Sequence, residues 1–161
     1  MEQILTKSAQ SVRNVLTNHG LDCEVKEMSS STRTAQEAAD SIGCDVAQIV
    51  KSLIFKTKET HKPVLILASG PNRVSENLIE SYIGEKITKA DADFAREVTG
   101  FAIGGIPPVG HKQPIDYIFI DQDLLKYDSI WAAAGTPNAV FNMQVSDLVG
   151  ITNGKVVSVT A

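Results

Sequence analysis

The 161-residue sequence predicts a mixed β-sheet flanked by helices, built as one domain over residues 1–161. Three observations point there. Helical and strand-like hydrophobic patterns alternate along the whole chain. No linker, repeat or low-complexity segment interrupts them. Successive strand patterns are joined both by close turns and by helical stretches, so antiparallel and parallel neighbours are both expected.

Ile4, Leu5, Ala9, Val12, Val15 and Leu16 form a helical stripe that His19-Gly20 closes. Leu21 to Met28 reads as a short strand. Thr34-Ala35-Gln36-Glu37 is a capping box opening a helix through Ala38, Ala39 and Ile42, and Gly43 stops it. A helical turn from Asp45 leads into a strand, Val50–Thr57, then a turn at Glu59–Lys62 and a second strand, Pro63–Ala68; the two should form a hairpin. Asn72 or Ser75 caps a helix that runs to Tyr82 and ends at Gly84. Another spans Asp91 to Val98 and ends at Gly100. Three strands follow, Asp116–Ile120, Ser129–Ala134 and Ala139–Met143, then a short helix near Ser146–Val149 and a last strand, Lys155–Val159.

Composition narrows the function classes. The longest aliphatic run, Val64 to Ala68, is far too short to cross a bilayer, and MEQILTKSAQ lacks the apolar core of a signal peptide. Cys23 and Cys44 stand apart without CxxC spacing, as reduced thiols do; a cytoplasmic protein without membrane contact is expected. The net charge of −4 argues against wrapping a long nucleic-acid surface, so any such contact should be as small as a strand end.

Two features carry chemistry. Residues 101–111 read Phe-Ala-Ile-Gly-Gly-Ile-Pro-Pro-Val-Gly-His. Gly104, Gly105 and Gly110 lack Cβ, while Pro107 and Pro108 fix φ and remove donors, so this loop is stiff and poor in side chains. It is either a wall that presents backbone groups to a small ligand or a tight connection. The second feature is Lys51, which strand alternation places on one face with Leu53 and Phe55. An ammonium there either snorkels from the strand's start or serves as an electrostatic handle for a phosphate or carbonyl.

Other chemistries lack their residues. His19, His61 and His111 have no metal-ligand spacing with one another or with Cys or acidic residues, so no metal site is expected. No GxSxG elbow, GxGxxG or GxxxxGK[ST] occurs, so no nucleotide cofactor is indicated. Asp91 and Asp93 lie at a helix start and match its dipole.

The segments IVKSLIF around Lys51, GGIPPVGH at 104–111 and WAAAGTPNAVF at 131–141 resemble, in order, the YbaK and prolyl-tRNA-editing family. Its members are free-standing relatives of the insertion domain of bacterial-type prolyl-tRNA synthetases. The likeness runs from about Leu21 to Val159. It implies an α+β fold with a curled mixed sheet of barrel-like character. It also implies hydrolysis of a small amino acid, alanine-like or cysteine, wrongly esterified to a tRNA acceptor end, foremost that of proline tRNA. A prolyl-tRNA synthetase is an implied partner.

By that resemblance Lys51 holds the terminal adenosine and the ester, with Ser52 and Leu53 beside it. Backbone at Gly104 and Gly105 orients the scissile bond, and Ile106, Pro107 and Pro108 shape the aminoacyl pocket, with His111 close by. Ala134 and Gly135 match a strand end near the pocket. No cofactor is implied: a ribose hydroxyl or a cysteinyl thiol of the substrate assists hydrolysis. Two other functions remain open, a non-catalytic module for the aminoacylated acceptor end and a small-ester hydrolase unrelated to tRNA.

Overall fold

A computed structural model describes residues 5–161; Ile4 of the first predicted stripe lies outside them. Helix α1, Lys7–Asn18, begins where the Thr6 hydroxyl accepts the Ala9 N–H at 3.3 Å, and it buries Ala9, Val12 and Leu16 on one stripe. Strand β1, Val25–Glu27, is shorter than the predicted Leu21–Met28. The Leu21 N–H is taken by the Leu16 carbonyl at the end of α1, and only Val25, Lys26 and Glu27 find partners in the sheet.

Helix α2, Ala35–Ile42, forms as its capping box dictates: Thr34 Oγ1 accepts the Glu37 N–H at 3.1 Å, and Gly43 ends the helix at φ 85°. Thr34→Ala should destabilise the protein by about 1 kcal/mol, read as a lower midpoint in chemical denaturation at unchanged slope. Strands β2, Ile49–Thr57, and β3, Pro63–Ser69, make the expected hairpin, in register from Val50↔Ser69 to Lys56↔Pro63. Ser75, not Asn72, caps α3, Glu76–Ile83.

A strand the sequence pattern does not announce follows, β4, Ile87–Lys89; only Ile87 of its three side chains is buried, so no period shows. Helix α4, Ala92–Thr99, is capped by Asp91, which accepts the Phe94 N–H at 2.8 Å. The remaining elements are β5, Tyr117–Asp121, a 3₁₀ turn at Gln122–Lys126, β6, Ser129–Ala133, β7, Ala139–Gln144, α5, Val145–Thr152, and β8, Lys155–Val157. Helix α5 runs on through Gly150 to Asn153, whose φ of 54° ends it, and is therefore longer than predicted.

Among the described residues eight strands form one curled sheet that does not close: seven follow the order β1-β7-β6-β2-β3-β5-β8, and β4 pairs with β2 off this path. Pairings of β2 with β6, β3 with β5, and β5 with β8 are parallel and the others antiparallel, so the sheet is mixed as expected. Strand β3 is buried on both faces and reads accordingly as an unbroken apolar run. Leu65 and Leu67 face the larger core beneath α1, α4 and α5; Val64, Ile66 and Ala68 face a smaller one completed by Ile79 of α3.

One irregularity positions everything that follows. Along its edge away from β3, β2 pairs with β6 at Ile49 and Val50 and with β4 at Phe55, Lys56 and Thr57. Between them no strand among the described residues pairs with Lys51, Ser52 or Leu53 on that side, and the sheet splits.

Candidate active site

Two cavities, of about 680 and 690 Å³, open at this split and share Lys51, Ser52, Leu53, Ile103 and Ile106 as their common wall. The first is bounded by the start of α2, with Arg33, Ala35 and Ala38, and by Ile49, Trp131 and Val140 of the sheet. It is chiefly apolar. The second is bounded by the β3–α3 loop and β4, and carries Arg73 and Lys89 against one acid, Glu76.

Lys51 is half-buried, and its Nζ donates to the Asn72 carbonyl at 2.6 Å. Burial pushes its pKa below the ordinary lysine value; the buried Asp121 carboxylate pulls it back up and Arg73 pushes it down further. Ser52 Oγ is buried without a hydrogen-bond partner, the single such side-chain atom among the described residues.

The glycine loop crosses the split from the other side. Gly104 takes φ 97°, and a Cβ there would lie 2.9 Å from Cγ of Arg33, which packs over it. Gly105 does not line either cavity. Its N–H bonds the Ala102 carbonyl at 3.0 Å, its carbonyl accepts the Gly135 N–H at 2.9 Å, and a Cβ would meet three Thr136 backbone atoms at 2.9 Å. Gly105 and Gly135 thus form a backbone joint that pins the loop to the turn between β6 and β7. Ala134, wholly buried, continues this joint through its N–H to the Ala139 carbonyl.

The structure therefore gathers Lys51, Ser52, Leu53, Gly104 and Ile106 at the cavities and places Gly105, Ala134 and Gly135 behind them. Pro107 is buried, and Pro108 turns with His111 towards a separate cavity of about 400 Å³. His111 Nε2–H donates to the Pro107 carbonyl at 2.7 Å, and burial lowers its pKa, so a neutral imidazole braces the loop from the rear. Cys23 and Cys44 border none of these cavities, and burial raises the pKa of both thiols. Among the described residues no group of three His, Cys, Asp or Glu could hold a metal ion.

Sequence reasoning missed Arg33, Ile103, Asn72, Arg73 and Trp131. Ile103 had a legible signal, an apolar residue directly before two glycines, and it is 52% exposed at the shared wall. Arg33 had none.

Residues 29–151 match the aminoacyl-tRNA editing domain family. The uncharacterized protein YwhH of Bacillus subtilis is 28% identical over 149 residues, covering 92% of this chain and 94% of its own. A proline–tRNA ligase of Limosilactobacillus fermentum is 34% identical over 103 residues, 62% of this chain but 18% of the ligase, so the chain spans less than a fifth of that enzyme. A crystal structure presented as a candidate trans-editing enzyme for prolyl tRNA synthetase superposes with a TM-score of 0.91 at 40% identity, covering 98% of this chain and 99% of that one. A second, hypothetical protein APE2540, gives 0.85 at 28% identity, over 92% and 98%.

Proposed function

The chain belongs to the aminoacyl-tRNA editing domain family and is an aminoacyl-tRNA deacylase; on that premise we propose that it acts in trans, clearing a mischarged small amino acid from proline tRNA. The observation that carries this reading is the placement of Lys51 in the wall shared by two cavities, one chiefly apolar and the other carrying Arg73 and Lys89. Arg73 and Lys89 suit the phosphates of an acceptor end, while Ala35, Ala38 and Val140 suit a small apolar side chain.

With the ester lying across Lys51, the ammonium stabilises charge developing on the carbonyl oxygen. The stiff loop at Gly104 and Ile106 holds the ester in place. An aminoacyl ester is already reactive, so positioning and charge stabilisation supply much of the acceleration without a protein nucleophile. A ribose hydroxyl aligning water, or the thiol of a cysteinyl substrate, completes the reaction. One methylene in an apolar cavity discriminates by only about 1–3 kcal/mol, which is why small amino acids escape a synthetic site and need a second, hydrolytic one.

The test is a panel of proline tRNAs charged with alanine, 2-aminobutyrate, serine, threonine, cysteine or proline. Catalytic loss of one or more small mischarged esters, with prolyl-tRNA spared, is the expected result. Slowed spontaneous loss would instead mark a protective binding module, and indifference to every tRNA would mark an esterase of another substrate class. Addition of a prolyl-tRNA synthetase to the same assay reports whether that enzyme is a partner.

A further inference from the structure

Lys51 is held by a polar relay that reaches into the core. Asn72 accepts from Lys51 through its main-chain carbonyl, and its carboxamide Nδ2 donates to Asp121 Oδ2 at 2.8 Å and Asp123 Oδ2 at 2.7 Å. Asp121 is 1% exposed, and it also accepts the Ser69 N–H at 3.0 Å and the Asp123 N–H at 2.9 Å. A carboxylate so deep is tolerated because each oxygen is satisfied. The Asn72 N–H closes the turn onto the Ser69 carbonyl at 2.9 Å. Both ends of Asn72 are therefore fixed, one by backbone and one by a pair of acids. None of this is needed to cap α3, which Ser75 does.

We propose that Asn72 is a positioning residue: clamped by Asp121 and Asp123, it sets the carbonyl that fixes the Lys51 ammonium beside the second cavity. The proposal rests on the role given to Lys51 under the proposed function. The charged groups around Lys51 are Asp121 at the end of β5, Asp123 in the turn after it, Arg73 and Glu76 before and in α3, Lys89 of β4, and Arg33 across the wall. Asp121 favours the ammonium; Arg73 and burial oppose it. A carbonyl fixed on Nζ adds to the favourable side, because it bonds the charged form.

The experiment uses the full chain with ¹³C-labelled lysine, Lys51 being assigned by its loss in Lys51→Arg. Lys51 titration and mischarged-tRNA deacylation are measured in Asn72→Ala and in the milder Asp123→Ala, which also covers the case in which the first fails to fold. In Asn72→Ala, Lys51 should titrate at lower pH than in the parent. Its kcat should fall on the order of tenfold to a hundredfold, with KM unchanged. Asp123→Ala should move both readings the same way by less. An unchanged Lys51 titration in folded protein would overturn the clamp. A shifted titration with deacylation at the parent rate would uphold the clamp and overturn the role of Lys51 in ester cleavage, so the two failures are distinguishable.

Discussion

Lys51→Ala should slow deacylation of the preferred mischarged tRNA by roughly two to three orders of magnitude, the range lost when a preorganised charge-stabilising group is removed. The fold should survive. Asp121, the acid nearest in effect to Lys51, keeps its bonds from Ser69, Asn72 and Asp123 when the ammonium is gone, so no buried carboxylate is left unsatisfied. An unchanged thermal midpoint alongside the lost turnover separates chemistry from folding. Since the Lys51 pKa is lowered in the folded protein, the enzymic rate above the spontaneous background should decline on the alkaline side at a pH below that of an ordinary lysine. Parent-like turnover in Lys51→Ala would remove the basis of the proposed function.

Gly105→Val should be the most disruptive single change in the loop. A Cβ would press at 2.9 Å on three main-chain atoms of Thr136, which cannot swing aside as a side chain can. The loop must lift, and the Gly135 N–H bond to the Gly105 carbonyl is lost with it. About 1–3 kcal/mol of stability should go, together with at least about tenfold in kcat/KM as Gly104 and Ile106 leave register with Lys51. Gly104→Ala gives the contrast: its contact is the flexible Arg33 side chain, although its φ of 97° strains any residue with a Cβ. Denaturation midpoints and single-turnover rates of the two variants test the distinction, and equal stability of Gly105→Val and parent would refute the joint.

The elements with local signals were legible. Thr34 and Glu37 lie three residues apart and meet in one turn, and the turn at residues 58–62 declares the β2–β3 hairpin. Strand β4 is a single buried side chain between exposed neighbours, and such a strand has no period to detect. At the site, alternation isolated Lys51 and composition isolated the glycine loop. The contacts that organise them join Lys51 to Asn72 and Asn72 to Asp121, across 21 and 49 residues, with no pattern along the chain to announce them. His111 shows the opposite limit: nearness in sequence to Gly104 said nothing about direction, and its ring points away from the cavities towards Pro107.

The interruption in β2 has a consequence for how the protein lives in a crowded solution. A sheet margin left without a neighbour invites another polypeptide to extend it. Here the vacant stretch is only Lys51 to Leu53, about 10 Å of extended chain, and it is boxed in by β6 at one end and β4 at the other. That slot is too brief to nucleate an intermolecular ribbon yet wide enough for one small guest. Along this margin the missing rung that leaves room for a small guest leaves too little free edge for a second chain to pair with.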